Sequence, residues 1–300
     1  MLDIALVGTG GMMPLPNRFL SSALIRYNGE LILIDCGECT QVSLNKLGWG
    51  FKQINTICFT HFHADHIAGL PGLLLTIGNS AKTEPMKLIG PKYLKHIVKS
   101  LCVITPLPFE LEFYELSGNN TLFKDNDLTI STLPVEHWVD CFAYRFDLKR
   151  KGKFDVDKAK ALQIPVKYWS KLQNGETIKI DDKTFMPSDV MGKSRKGISI
   201  TYSTDMRPSD RLSEFAKKSD LFICEGMYAD EEKLEKAISK KHCMFSEAAY
   251  MAKKAEVKEM WLTHFSPSLS NPSQEINVAT DIFKNTVAGY DHLSKEINFE

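Results

Sequence analysis

The 300-residue chain lacks several things that would have classified it at once. It has no net charge, with 37 lysines and arginines against 37 aspartates and glutamates. A chain-wide electrostatic pull toward nucleic acid or an anionic membrane is therefore excluded, although a local basic patch is not. No apolar run approaches the ~18 residues of a membrane-spanning helix, so no membrane partner is expected. The opening MLDIALVGTGG has no basic n-region. It is expected to be a strand running into a glycine loop rather than a signal peptide. The seven cysteines are odd in number and scattered, which fits reduced thiols in the cytoplasm better than a disulfide framework. There is one C-x-x-C, Cys36 and Cys39 in DCGECT. Without a second pair or a thioredoxin-like setting it reads as two small residues sharing a loop. Repeats with a period of roughly 20–50 residues and low-complexity tracts are also missing.

What is present is a large stock of core: 43% of the residues are hydrophobic, enough for one big domain or two ordinary ones. Short β-branched runs punctuate the first half: 2–8, a hairpin over 21–37 turning at Asn28-Gly29, 55–61, 85–91, 111–117, 128–137 and 141–148. Helical patterns follow at 70–78 and 91–101. The second half alternates strands (197–205, 220–228, 259–266) with helices (209–219, 230–240, 246–256), the last with Ser246 as candidate N-cap. Such alternation, mixed with hairpins, predicts sheets covered by helices.

Histidine is sparse, eight in all, yet three fall within FTHFHADHIAGLPGLL, at His61, His63 and His66, with Asp65 between them. Imidazole and carboxylate are ligands for zinc and its neighbours. Positions i and i+2 share no helix face, and a regular strand would turn His66 away from the other three. The stretch is therefore predicted to be a turn after a buried strand, leading into a helix near residue 67. It would aim His61 and His63 at one point and Asp65 with His66 at another, which implies two metals. Further donors of the right type close other strands: His137, Asp205 and His264. Taken singly, each reads as an ordinary turn residue. His96 and His292 lack such companions and read as surface or core.

Residues 149–196 interrupt two strong strand signals and resemble an insertion. Residues 149–171 carry eight Lys/Arg against two Asp, a net of +6. Charge alone leaves two readings open: a solvated surface, or an arm that grips a phosphate backbone.

These landmarks together resemble the ribonuclease Z family of the metallo-β-lactamase superfamily. They are GTGG-x-x-P (8–14), IDCGE-x-TQ (34–41), the histidine stretch with its 66–74 continuation, Gly90-Pro91, V-x-H (135–137), YSTD-x-R-x-SD (202–210), Cys224-Glu225, His242 with its following EAA, and LTHFS (262–266). The resemblance spans nearly the whole chain. It implies an α/β fold, the αββα four-layer sandwich, as a single domain over residues 1–300. It implies that His61, His63 and His137 hold one metal, that Asp65, His66 and His264 hold the other, and that Asp205 bridges. Two divalent ions per chain are expected, zinc first, with manganese or iron as alternatives. Asp65 would also take the attacking water's proton. His242, made more basic by Glu225, would protonate the leaving oxygen, read as the 5′-oxygen of the trailer.

The implied activity is endonucleolytic removal of the 3′ trailer from pre-tRNA, leaving a 3′-hydroxyl, by a cytoplasmic homodimer. The alternative is a phosphodiesterase of the same fold acting on small or cyclic nucleotides. A scaffold without catalysis is disfavoured, since all seven ligand positions are filled. The resemblance also tips 149–196 toward a tRNA-binding arm. Lys149, Arg150, Lys151 and Lys153 would contact substrate, with Tyr168 and Trp169 stacking on bases and Ser266 beside the site. Three places depart from the family pattern. Ile164 to Trp169 replaces a Pro-Pro-Gly-Pro-like turn, Cys224 stands where a histidine is usual, and Ser268-Leu269 replaces an Arg-Tyr pair.

Overall fold

The structure, a computed structural model, describes residues 1–104, 106–123 and 127–300. Its strands are β1 (Leu2–Gly8), β2 (Ser22–Tyr27), β3 (Glu30–Ile34), β4 (Ile54–Cys58), β5 (Met86–Gly90), β6 (Leu111–Glu115), β7 (Asn120–Phe123) and β8 (Leu128–Val135). They continue as β9 (Cys141–Arg150), β10 (Ile178–Ile180), β11 (Lys183–Phe185), β12 (Arg195–Ser203), β13 (Leu221–Glu225), β14 (Met260–Thr263), β15 (Thr286–Ala288) and β16 (Ser294–Ile297). One seven-stranded sheet has the order β16-β1-β2-β3-β4-β5-β6, and a second has β15-β14-β13-β12-β9-β8-β7.

The two sheets make the inner layers of an αββα sandwich. β1, β13 and β14 are buried along their whole length, because each is covered on both faces. Helices 40–47, 70–79 and 94–101 share one apolar cluster with the first sheet, through residues such as Leu33, Ile57, Leu73 and Val98. Helices 210–215 and 245–254 share another with the second, through Leu212, Phe222, Ala248 and Leu262. Tyr144 of β9 donates its hydroxyl to the Phe59 carbonyl at 2.7 Å, a buried hydrogen bond from one sheet to the other.

Parallel pairing fixes where the chemistry sits. β3, β4 and β5 run parallel in the first sheet, and β12, β13 and β14 in the second. Their carboxyl ends therefore emerge on common edges, where ligand sites of α/β sheets form. Asp35, Asp205 and His264 each follow such an end with positive φ, at 59°, 52° and 57°. This left-handed backbone is uncommon outside glycine, though Asp and His are enriched there, and it clusters at functional sites.

Several local expectations need correction. The helix in the histidine stretch begins at Ala64 rather than near 67. His63 is extended (φ −67°, ψ 151°) and its carbonyl already accepts the His66 N–H at 2.9 Å, so Asp65 and His66 ride on the first turn. Ser246 is not an N-cap: the helix starts at Phe245, and Glu247 reaches back to the Met244 N–H at 3.0 Å. The expected turn at Asn28-Gly29 is present, with φ 50° and 78°. Strands β7, β10, β11, β15 and β16 were not foreseen, since three or four residues are too few to show a period.

The described residues fall into two compact units: Met1–Asp147 with Ile198–Asn298, and Leu148–Gly197 with Phe299–Glu300. The second unit contains the whole inserted segment, residues 149–196. It has its own small core of Ala159, Ile164, Leu172, Ile178, Phe185 and Val190. Its two ends close on each other where the Gly192 N–H donates to the Lys153 carbonyl at 2.8 Å.

The loop after β3 packs onto the histidine stretch backbone to backbone. The Cys36 N–H donates to the His66 carbonyl at 2.7 Å. A Cβ on Gly37 would lie 2.0 Å from the Asp65 carbonyl oxygen. Gly37→Ala should therefore cost about 1–3 kcal/mol of stability, seen as a lowered Tm. An unchanged Tm would show that the two loops are not held as tightly as described.

Candidate metal centre and active site

Two clusters of donors meet at the strand ends. In the first, one donor atom from each of His61, His63, His137 and Asp205 lies within 4.8 Å of the others. His63 Nδ1 and His137 Nε2 are 3.3 Å apart. In the second, His66 Nε2 and His264 Nε2 are 3.3 Å apart, and each is 3.6 Å from Asp65 Oδ2. Asp205 belongs to both. Its Oδ1 is 3.9 Å from His137 Nε2, and its Oδ2 is 3.1 Å from both His66 Nε2 and His264 Nε2.

The fit to metal ions rests on unsatisfied groups. His61 is fully buried, yet its Nε2 has no hydrogen-bond partner. Asp205 Oδ2, also buried, makes no hydrogen bond of proper geometry, despite its short distances to the two imidazoles. Buried polar atoms are rarely left without a partner, and several converging on one place suit a bound cation. The field has the matching sign. Burial disfavours the imidazolium of His66, but Asp205 and Asp35 hold its pKa well above the ordinary value. Burial likewise works against His264, but Asp205, Asp65 and Glu225 push it up to about 10. Burial and then His66 push His61 well below the ordinary range, leaving the neutral imidazole that a metal requires.

Several of the donors are held by neighbouring groups. Asp35 Oδ2 takes His66 Nδ1 at 2.9 Å and the Thr60 hydroxyl at 2.8 Å, while Oδ1 takes the Thr60 N–H at 2.7 Å. The Thr60 hydroxyl also lies 3.0 Å from His61 Nδ1. Glu225 Oε1 lies 2.6 Å from His242 Nδ1 and 3.0 Å from His264 Nδ1, so one carboxylate orients a candidate ligand and a candidate proton donor. Asp65 Oδ2 accepts the Met12 N–H at 2.7 Å. Gly11 lets that loop in: a Cβ there would lie 2.8 Å from His264 Cε1. Arg207 grips the Glu247 carboxylate with both terminal nitrogens and donates to the His242 carbonyl, while Glu247 holds the Met244 N–H. The two thus clamp the His242–Met244 segment from both ends.

The structure brings together all seven residues read as ligands, with His242 and Glu225 beside them. Ser266 is buried, and its hydroxyl faces the Ser268 hydroxyl at 2.8 Å. Lys149, Arg150, Lys151, Lys153, Tyr168 and Trp169 belong to the second unit. There Arg150 donates to the Glu300 carbonyl and lies over Phe299. Trp169, half-buried, is packed against Phe154 and that unit's small core, with its indole N–H on the Ile164 carbonyl at 2.8 Å, and Tyr168 packs there too. The departure at Cys224 removes nothing from the centre. Strand alternation turns it away from Glu225 into the core beneath. Sequence reasoning assigned no role to Asp35, Thr60, Arg207 or Glu247. The available signal for Asp35 was its place, an acid directly after the apolar strand ELILI.

Two sheets with paired His/Asp clusters at their strand ends define a metal-dependent hydrolase of the metallo-β-lactamase fold. Solved structures share that fold. The short form of human tRNase Z superposes with a TM-score of 0.71 at 23% identity, over 99% of this chain and 100% of the other. The metallo-β-lactamase fold protein YhfI from Bacillus subtilis gives 0.70 at 18% identity, over 98% of each chain. The family model for Anti-Pycsar protein Apyc1 matches residues 2–103. In sequence, ribonuclease Z of Clostridium acetobutylicum is 54% identical over 100% of this chain and 99% of its own. That of Clostridium kluyveri is 55% identical over all of both. The chain belongs to the ribonuclease Z family.

Because Asp35 alone orients His66 Nδ1, Asp35→Asn should weaken metal binding about 10- to 100-fold, measured by competition with a chelator dye. Affinity equal to that of the unmodified protein would remove Asp35 from the support of the centre.

Proposed function

We propose that the chain is a tRNA 3′-processing endonuclease that removes the 3′ trailer from pre-tRNA and leaves a 3′-hydroxyl. The observation that carries this is the pair of donor clusters sharing Asp205, in a chain similar to ribonuclease Z from end to end. His61, His63 and His137 would hold one divalent ion, and Asp65, His66 and His264 the other, with Asp205 between them. Zinc suits the imidazole-rich set, and manganese or iron suits the bridging carboxylate. Bound there, the two ions would supply Lewis acidity toward water and offset the charge that builds on the phosphate.

The residues then divide the proton traffic. Asp65 accepts a proton from the attacking water while the new P–O bond forms. A 3′-hydroxyl product requires the P–O3′ bond to break, which places the 5′-phosphate on the trailer. The leaving oxygen is therefore O3′ of the tRNA, not the trailer's 5′-oxygen expected above. His242 is placed to protonate it. Burial disfavours its imidazolium, but Glu225 at 2.6 Å and Asp205 together raise its pKa above the ordinary value. The basic insertion, residues 149–196, is the proposed tRNA-binding arm, with Lys149, Lys151 and Lys153 as its phosphate contacts. A cytoplasmic homodimer is part of the same reading. No helix among the described residues is long and apolar enough to cross a membrane.

Cleavage of a 3′-extended pre-tRNA with zinc or manganese should give one cut after the discriminator base, lost in Asp65→Ala. Hydrolysis of a simple phosphodiester with no cut in pre-tRNA would move the assignment to a small-diester phosphodiesterase. Deleting residues 152–192 should cripple pre-tRNA cleavage, and intact cleavage would refute the arm. The proton donor sets a pH signature. Activity needs protonated His242, so it is present below that group's pKa and falls as pH rises through it. Glu225→Gln removes the charge that raises this pKa, so the alkaline fall should move to lower pH in the kcat profile. A profile identical to that of the unmodified protein would refute the assignment of His242 as the acid.

A further inference from the structure

An aromatic ring stands exposed at the rim of the centre. Trp138 directly follows His137 and is 63% exposed, with the adjacent Val139 41% exposed. Single exposed hydrophobics are ordinary. The setting of this one is not. Trp138 lies in the short loop between β8 and β9, one residue or about 3.8 Å along the chain from a candidate metal ligand. His137 turns inward to the cluster and is only 8% exposed. The loop helps to line a surface cleft of about 290 Å³, together with Phe142.

A cation shares the site. Lys241 Nζ lies 5.0 Å from the centre of the Trp138 ring and 3.3 Å from the His137 carbonyl. The Lys241 carbonyl lies 3.2 Å from His137 Nδ1. Lys241 therefore cannot drift from the loop. Its partner Glu136, at 3.5 Å, is exposed, and an exposed pair of this kind is weak enough to yield to a phosphate. The next residue is His242, whose ring centre is 5.7 Å from that of His137.

A flat aromatic face with a lysine beside it is how proteins hold unpaired nucleotides: base on ring, phosphate on cation. We propose that Trp138 and Lys241 form the subsite for the nucleotide on the 5′ side of the cut, with its base stacked on Trp138. The side follows from His242. The oxygen that His242 protonates is O3′ of that nucleotide; Lys241 directly precedes His242, and Trp138 directly follows His137, whose ring centre is 5.7 Å from that of His242. This rests on the RNA-processing reading above. Stacking is tolerant of sequence, so the subsite would accept any base and favour the larger face of a purine.

The test uses the full-length holoenzyme and three forms of one pre-tRNA: intact, abasic at the last retained nucleotide, and abasic at the first trailer nucleotide. Metal content is measured for every variant, so that loss of the centre is recognised. Trp138→Ala should lower kcat/KM on intact substrate about 5- to 100-fold, chiefly through KM, and Trp138→Phe should restore most of it. The abasic change at the last retained nucleotide should cost the unmodified enzyme a similar factor and cost Trp138→Ala little more, because both remove the same stack. The proposal is overturned if Trp138→Ala processes intact pre-tRNA as the unmodified enzyme does. Full additivity of the two losses, or absorption of the loss at the trailer nucleotide instead, overturns it equally. If the unmodified enzyme hydrolyses bis(p-nitrophenyl) phosphate but leaves pre-tRNA uncut, the RNA reading itself fails and the subsite falls with it.

Discussion

Buried negative charge at the ends of the central strands is the constraint to which the rest of this molecule answers. Asp35, Asp205 and Glu225 are almost fully withdrawn from water, and Asp65 is mostly so. An uncompensated buried carboxylate is strongly unfavourable. Here the four are met by His66, His242 and His264, by the backbone N–H groups of Met12, Thr60, Met206 and Cys243, and, in the functional protein, by cations. Asp205 is the central member, with one oxygen directed to each cluster.

That constraint explains why such a large scaffold surrounds so few reacting groups. A site of this kind needs donors fixed in place before the ions arrive, since a loose carboxylate would turn toward solvent. Parallel strands from both sheets deliver their carboxyl ends to one region, and left-handed turns at Asp35, Asp205 and His264 redirect the chain there. The glycines at 11 and 37 allow the neighbouring loops to close to backbone contact. Behind the donors, the Glu225 and Arg207–Glu247 contacts hold His242 independently of the histidine stretch. Glu225 also reaches His264 at 3.0 Å, so this one carboxylate ties His242 to the donor clusters.

Much of this was legible in the chain. The long strands showed themselves by apolar, β-branched runs, and the hairpin by Asn28-Gly29. The histidine stretch announced a metal site because its spacing suits neither a helix face nor a strand face. The short strands β15 and β16 did not show, since three or four residues at a sheet edge carry no readable period. The supporting residues did not show either. Asp35 and Arg207 act through partners 31 and 35 positions away in sequence, His66 and His242. Trp169, expected from its aromatic type to stack on RNA, is also packed against Phe154, a contact that its local sequence does not announce.

The sequence by itself determined the inventory: which side chains can bind metal, where strands deliver them, and which family the pattern resembles. Those facts depend on residue type and local spacing, and both are written along the chain. Tertiary structure alone decided which oxygen of Asp205 faces which cluster, that one Glu225 carboxylate serves both His242 and His264, and that Trp138 stands at the rim with Lys241 over its ring. These include distances between residues more than 100 positions apart, as for His66 and Asp205 or His137 and Lys241. Such distances are set by how two sheets stack and how their loops meet, and no local pattern records them.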